Sequence, residues 1–443
     1  MVSITHINIK ELFGIYSYSI PTPDIDISKL LILYGNNGVG KTTIIKMLFY
    51  LLSSHDNKGH KSELANIPFK EISVTLSNQQ IVSAERKIAK TGEYTLKIIN
   101  KDNKQLLTEK MEAELENNHY VIRSQKTRKF VEYFKKLDVA IHFISDDRKI
   151  NNSLSLLRNE DSDQLQLTNL PTNILHKMQL GININETFSL NEIMLKNAIS
   201  NTEEWFKEQT YIANTIGQDS LNSIYFDIVD KLLDDEDTTK VQDKNFTNKK
   251  EILRTITMLI ERNKEFIKYK LTKDFNLNKF ISIIDKASKE KITLIQDIIN
   301  PYVKGIEEKL NAIEVTKNII NIFITTLNEF YVDKQVEFDM QEGLRIKSLY
   351  NEKETLDPQM LSSGERQLLL LFCNVITARN KASIFIIDEP ELSLNVKWQR
   401  KLIESLLKCA ENSHIQFIFA SHSIELLTQY KNQVTNLNDQ VII

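Results

Sequence analysis

Residues 35–43 read Gly35-Asn36-Asn37-Gly38-Val39-Gly40-Lys41-Thr42-Thr43, a full G-x-x-x-x-G-K-T pattern with one further threonine. Glycines at these positions let backbone N–H groups curl around a phosphate with no Cβ in the way. Lys41 would reach the β- and γ-phosphates of a nucleotide, and the Thr42 hydroxyl would ligate Mg²⁺. The pattern means something only between a strand and a helix. Here apolar Leu30-Leu31-Ile32-Leu33 precedes it and the apolar-periodic Ile44-Ile45-Lys46-Met47-Leu48-Phe49 follows. The helix start adds the positive end of its dipole. A glycine turn that merely happens to precede a helix fits this context poorly.

A second set of chemical residues lies far downstream. Ser383-Ile384-Phe385-Ile386-Ile387-Asp388-Glu389 is an apolar run closed by two acids. A buried parallel strand would deliver Asp388 at its carboxyl end, where ligands bind in open α/β sheets. Asp388 would hold Mg²⁺, mostly through water, and Glu389 would polarise an attacking water as general base. Without the upstream loop, the same residues read as a strand ending in a charged turn. Leu361-Ser362-Ser363-Gly364-Glu365 offers a hydroxyl and free N–H groups to a phosphate at a helix start, or forms a plain N-cap with an acid in the first turn. His422 closes the apolar run Ile415-Gln416-Phe417-Ile418-Phe419-Ala420, a position that suits a γ-phosphate sensor.

These residues need a scaffold, and the patterning supplies one. Alternating segments at 4–10, 16–20, 71–76, 80–84 and 94–99 predict an antiparallel meander, and 139–144 predicts a further strand ending in Ser145-Asp146-Asp147-Arg148. A polar, His-containing loop is expected over 53–61. From about 150 the strand pattern gives way to helices. Ile306, Leu310, Ile313, Lys317, Ile320, Ile324, Leu327 and Tyr331 step by four and three, as do Ile252, Ile256, Leu259, Asn263 and Phe266. Such stripes fit an ordinary bundle as well as a short coiled-coil arm. After 333 a hairpin, a helix from about 364, the strand to Asp388, a helix over 394–410 and a strand over 415–420 are expected. The expected organisation is therefore a discontinuous α/β head, residues 1–150 and 333–443, closed around an all-α insertion over 151–332.

Composition narrows the function classes. A net charge of -3 excludes a strongly basic field over the whole protein, though not a local patch. With only Cys373 and Cys409 and no C-x-x-C, neither a disulfide framework nor a thiolate zinc site is expected. No apolar run approaches the roughly 18 residues of a membrane span, and the first residues lack a secretory pattern, so the expected compartment is the cytoplasm. Glycine is scarce at 11 residues, yet Gly35, Gly38, Gly40 and Gly364 all fall in the phosphate-binding stretches.

The order Gly35–Thr42, Leu361–Glu365, Asp388-Glu389-Pro390, Glu391-Leu392-Ser393-Leu394-Asn395 and His422 resembles that of ABC-type ATPases: Walker A, signature, Walker B, D-loop and switch histidine. The L-S-S-G-E form, the D-E-P-E-L-S-L run and the helical insertion are more similar to the RecF/SMC/OLD-like branch than to transporters. The resemblance covers both head segments, roughly half the chain, and not the insertion. It implies a mixed P-loop sheet with an antiparallel meander. It also implies ATP and Mg²⁺ as cofactors, and a homo-oligomer in which two heads sandwich ATP. Ser362, Ser363, Gly364 and Glu365 of one chain would then face the nucleotide held by Lys41 of another, and a single chain would hydrolyse slowly. Gln79, Gln80 and Gln125 are the candidates for the Q-loop glutamine, a task the Ser145–Arg148 strand end would share.

No zinc-hook cysteines and no C-terminal Toprim domain are expected. This leaves a chain similar to the stand-alone ATPase subunits of anti-phage systems, the AriA type of PARIS and the PtuA type of Septu. By that analogy the chain would control a separate Toprim-like or HNH nuclease. The alternative is a DNA-repair or DNA-end-binding ATPase, for which Arg123, Lys126, Arg128, Lys129, Lys135 and Lys136, interleaved with Phe130, Tyr133 and Phe134, would supply the contacts. The same stretch also reads as an amphipathic helix with a solvated basic face. A transporter ATPase is disfavoured by the place and length of the insertion.

Overall fold

The computed structural model describes residues 2–22, 25–54, 59–102, 104–123, 128–137, 139–145, 190–233, 249–275, 277–286, 289–351, 355–381 and 383–440. In chain order the strands and helices are β1 (Ile4–Leu12), β2 (Tyr16–Ile20), β3 (Leu30–Tyr34), α1 (Lys41–Leu52), α2 (His60–Ala65), β4 (Phe69–Leu76), β5 (Ile81–Lys90), β6 (Tyr94–Ile99), β7 (Gln105–Met111), β8 (Glu114–Glu116), β9 (His119–Val121), α3 (Arg128–Lys136) and β10 (Ile141–Ile144). There follow α4 (Leu190–Leu233), α5 (Lys249–Lys268), α6 (Leu277–Lys286), α7 (Lys289–Phe330), β11 (Lys334–Asp339), β12 (Gly343–Ser348), α8 (Ser363–Ala378), β13 (Ile384–Asp388), α9 (Val396–Cys409), β14 (Gln416–Ser421), α10 (Ile424–Gln429) and β15 (Val434–Asn436). The chain divides into two compact units, residues 1–198 with 361–443, and residues 199–360.

The first unit is α/β and carries the chemistry. Its antiparallel sheet runs β2-β1-β4-β5-β6-β7, and its second sheet runs β10-β13-β14-β3-β15. Every pairing in the second sheet is parallel. β3, β13 and β14 are apolar through their middles and buried almost throughout, because both faces are covered. Register decides what meets at the carboxyl edge: Asp388 pairs with Ala420, and Ser421 with Tyr34. The ends of three strands from opposite ends of the chain are thus level. Helix α1 packs on β10, β13 and β14 of this sheet and on β5 of the other, burying Ile44, Ile45, Met47, Leu48 and Phe49. Gln416 stitches the two sheets together. Its amide accepts from Ile4 N at 2.8 Å and donates to the carbonyls of Ile4 and Ile27 at 2.7 Å each.

The second unit is helical with one hairpin, β11–β12, which packs on α7. The expected stripes are buried at every position named, from Ile252 to Phe266 on α5, from Ile306 to Leu327 on α7, and at Tyr331 just past the end of α7. The two polar members are satisfied. Lys317 pairs with Glu265 at 2.7 Å and Glu314 at 2.8 Å, and Asn263 bonds to Thr272 and to the Lys273 carbonyl. The cross-helix bonds Arg262–Glu314, Glu265–Lys317 and Tyr269–Asn321 share one sequence offset, 52 residues. A constant offset means α5 and this part of α7 run parallel, as two members of a bundle and not as the limbs of a hairpin arm. Pro301 lies inside α7.

Two expectations are corrected. The 53–61 stretch is not loop to its end: His60 and Lys61 open α2 and are buried. The basic stretch before 137 does not present aromatic faces, because Phe130 and Phe134 are core residues and Arg123 pairs with Glu114. Lys126, Gln125, the Asp146–Arg148 strand end and residues 151–189 lie outside the described residues.

Candidate functional site

The glycine loop links β3 to α1. Gly38 and Gly40 have φ of 90° and 89°, values an L side chain adopts only under strain. At Gly35 a Cβ would come within 2.9 Å of Val39. Gly40 occupies the N-cap of α1 and brings no side-chain cap, so the first-turn N–H groups face outward for an anion. The loop is braced from two remote elements. The Tyr18 hydroxyl donates to the Val39 carbonyl at 2.7 Å, and Asn438 Oδ1 accepts from Asn36 N at 3.0 Å. Neither brace was legible beforehand, since a lone Tyr or Asn carries no pattern.

Lys41 is buried and folds back over its own loop, donating to the carbonyls of Gly35 at 2.8 Å and Asn36 at 3.2 Å. Thr42 Oγ1 donates to Asp388 Oδ1 at 3.1 Å, although the two residues are 346 positions apart. A hydroxyl and a carboxylate held this way are the hard oxygen donors a Mg²⁺ ion takes, beside a cradle shaped for the phosphates it would bridge. The donor set fits a magnesium nucleotide.

Glu389 follows Asp388 in a left-handed conformation, φ 49°, a local strain of the sort found at functional sites. Its carboxylate meets His422 Nδ1. Burial pushes the Glu389 carboxyl above its ordinary value, the nearby Glu391 adds to this, and His422 and Lys41 oppose it. That gives a carboxyl of raised proton affinity in contact with an imidazole. Oxygen and nitrogen atoms of Glu389, Glu391 and His422 lie within 4.8 Å of one another. Oε1 of Glu391, however, is already taken by three donors, so Thr42 and Asp388 remain the better cation pair.

Ser362 caps α8 in a reciprocal box with Glu365. Ser362 N donates to the Glu365 carboxylate at 2.7 Å, and Glu365 N to Ser362 Oγ at 3.3 Å. Ser363 opens the helix itself. Gly364 backs onto the D-loop so closely that a Cβ would sit 2.9 Å from the Ser393 carbonyl. Gln367 donates to the Pro390 carbonyl at 3.2 Å. Lys41, Thr42, Asp388, Glu389 and His422 therefore converge within one chain. Ser362 and Gly364 are braced against their own cap and the D-loop, and the bonds that hold the phosphate loop come from Tyr18, Asn438 and Asp388. Gln79 sits at a left-handed turn and Gln80 donates to the Tyr133 hydroxyl. The small cavity beside Asp388 and Glu389 is lined instead by Ser145, Gln367 and Leu370.

A family model described as "AAA domain, putative AbiEii toxin, Type IV TA system" matches residues 30–428, which hold all of these groups except Tyr18 and Asn438. The chain belongs to this family. The chain is similar to the Retron Vc95 probable ATPase of Vibrio cholerae, 27% identical over 184 residues, 40% of this chain and 34% of that one. It is also similar to a putative ABC transporter ATP-binding protein of Methanosarcina acetivorans, 21% identical over 188 residues, 37% and 35% of the two chains. It spans about a third of the length of these curated relatives. The Smc head domain of Pyrococcus furiosus aligns with 97% of the chain and 92% of its own at 13% identity and a TM-score of 0.37, a likeness on which no argument rests. The matched family is described as an AAA domain, and these relatives as an ATPase and an ATP-binding protein. No helix among the described residues is long and apolar enough to cross a membrane.

Proposed function

We propose that the chain binds ATP with Mg²⁺ and hydrolyses it to ADP and phosphate. The glycine loop and Lys41 would hold the phosphates, and Thr42 and Asp388 the metal. Glu389 would take the proton of the attacking water, with His422 steadying it. The observation that carries this reading is the Thr42–Asp388 bond, made beside the Glu389–His422 contact at one sheet edge. The magnesium ion would supply charge neutralisation at the γ-phosphate. The chain's own groups supply position and the base.

Ser362–Glu365, whose bonds run to their own cap and whose Gly364 backs onto the D-loop, would complete the site of a second copy, as the signature of ABC-type ATPases does. Leu392 and Val396, the exposed apolar residues of the D-loop region, suit such a contact. By analogy with the stand-alone ATPase subunits of anti-phage systems, the chain would control a separate effector, a nuclease or toxin, in defence against phage. Glu389→Gln with saturating ATP and Mg²⁺ should shift from monomer to dimer or larger in light scattering while turnover stops. A monomer under those conditions would exclude the shared site, and retained turnover would exclude Glu389 as base. DNA binding through the exposed Lys129, Lys135 and Lys136 is the competing reading. Affinity that falls steeply with salt would favour it.

A further inference from the structure

We propose that Glu391 is the positioning residue of the hydrolytic pair: its buried carboxylate fixes the backbone turn that carries His422, and so sets the contact between His422 and Glu389. The inference rests on the ATPase reading above and adds a residue to it.

Glu391 is 4% exposed. A carboxylate in such a place is costly unless donors surround it. Its Oε1 accepts from Ser421 Oγ at 2.5 Å, His422 N at 3.2 Å and Ser423 N at 3.1 Å. These three residues are the end of β14 and the turn into α10. Ser423 is the N-cap of α10 but places no side-chain bond on its first turn. Its hydroxyl donates to Gln399 instead, at 2.8 Å, and Gln399 donates to the Leu394 carbonyl at 2.9 Å. The turn is thus tied twice to the D-loop, once through Glu391 and once through Gln399.

Packing cannot do this work for His422, whose side chain is 55% exposed. A half-exposed imidazole samples several rotamers unless its backbone and a polar partner restrain it. Glu391 supplies the backbone restraint and Glu389 the partner. The Glu391 Oε1 atom is also 3.8 Å from His422 Nδ1, near enough to favour the ring orientation that meets Glu389.

The test uses the full chain with ATP and Mg²⁺, under conditions in which the wild type turns over. Glu391→Ala should lower kcat on the order of a hundredfold, the range a positioned acid–base group contributes. Its ATP affinity should stay within about threefold, because Lys41 and Thr42 keep their partners. Glu391→Gln keeps an oxygen that can accept the three bonds and should recover tenfold or more of that loss. In a His422→Ala background, Glu391→Ala should cost almost nothing further, since the residue it positions is gone. Should Glu391→Ala fail to fold, Ser421→Ala removes one donor to Glu391 and one acceptor of Ser423 N, and should show the same dependence on His422 on a smaller scale. Losses that multiply with His422→Ala, or turnover within threefold of wild type in Glu391→Ala and Ser421→Ala, overturn the proposal and leave the ATPase reading standing. A wild type that hydrolyses no ATP overturns both.

Discussion

Lys41 spends its charge on two carbonyls of its own loop. A phosphate would offer a better acceptor in the same place, so nucleotide binding exchanges two neutral acceptors for charged ones. Replacing Lys41 with Ala should weaken ATP binding by about 3 kcal/mol, on the order of a hundredfold, read by calorimetry. Most of the residues at this scale were legible, because a phosphate loop, a strand ending in two acids and a histidine after a strand each have a sequence form. Glu391 was legible only as part of the D-loop, since its role depends on where β14 ends. Tyr18 and Asn438 were not legible at all, because their partners are loop backbone atoms brought near by the fold.

Elements hold these residues, and two of them make predictions. The first is the junction of α8 with the D-loop. Gly364 meets Ser393 O at 2.9 Å and Trp398 at 3.1 Å from a hypothetical Cβ. Gly364→Ala must push backbone aside, at about 1–3 kcal/mol. It should impair ATP-driven assembly more than nucleotide binding by the monomer, measured by light scattering and by calorimetry. The second is the far end of α1. Lys61 Nζ donates to the carbonyls of Tyr50 and Leu51 at 2.6 Å each, the last turn of the helix that begins at Lys41, and lies over the Phe134 ring.

Burial pulls the Lys61 ammonium down to about 7 from an ordinary 10.5. The unfolded chain therefore binds the proton more tightly than the folded one, and stability should rise as pH increases from about 7 to about 10.5. Lys61→Met should flatten that slope in urea titrations. Near pH 7 it should also cost about 1–3 kcal/mol by orphaning the carbonyls. The polar texture of 53–61 reads as loop from sequence, because burial of a lysine on backbone carbonyls, its acceptors among the described residues, has no sequence signature. The helical stripes, by contrast, were legible residue by residue, since period alone selects the buried face.

Direction is what periodicity omits, and it matters at the scale of the molecule. The stripes on α5 and α7 say which faces are buried, not that the helices run parallel. Likewise the hairpin at 334–348 belongs by packing to the helical unit, although its strand pattern resembles that of the head. The order of motifs did foretell that the site draws on both ends of the chain, because a phosphate loop without its acids is incomplete. The incompleteness goes one step further if Ser362–Glu365 serve a second copy. The Glu389→Gln experiment is then a test of the whole molecule, with assembly as its readout.

The placement of β3 between β14 and β15 has a consequence for the protein's birth. On the ribosome, the apolar strand Leu30–Tyr34 emerges with both of its edges unpaired. Its two neighbours in the sheet, β14 and β15, are translated only after the helical unit. Until they appear, the nascent head cannot close its core, and Asp388 has nothing to hold at the phosphate loop. A polypeptide stalled before Gln416 would leave both edges of β3 unpaired, a row of backbone donors and acceptors open to other chains.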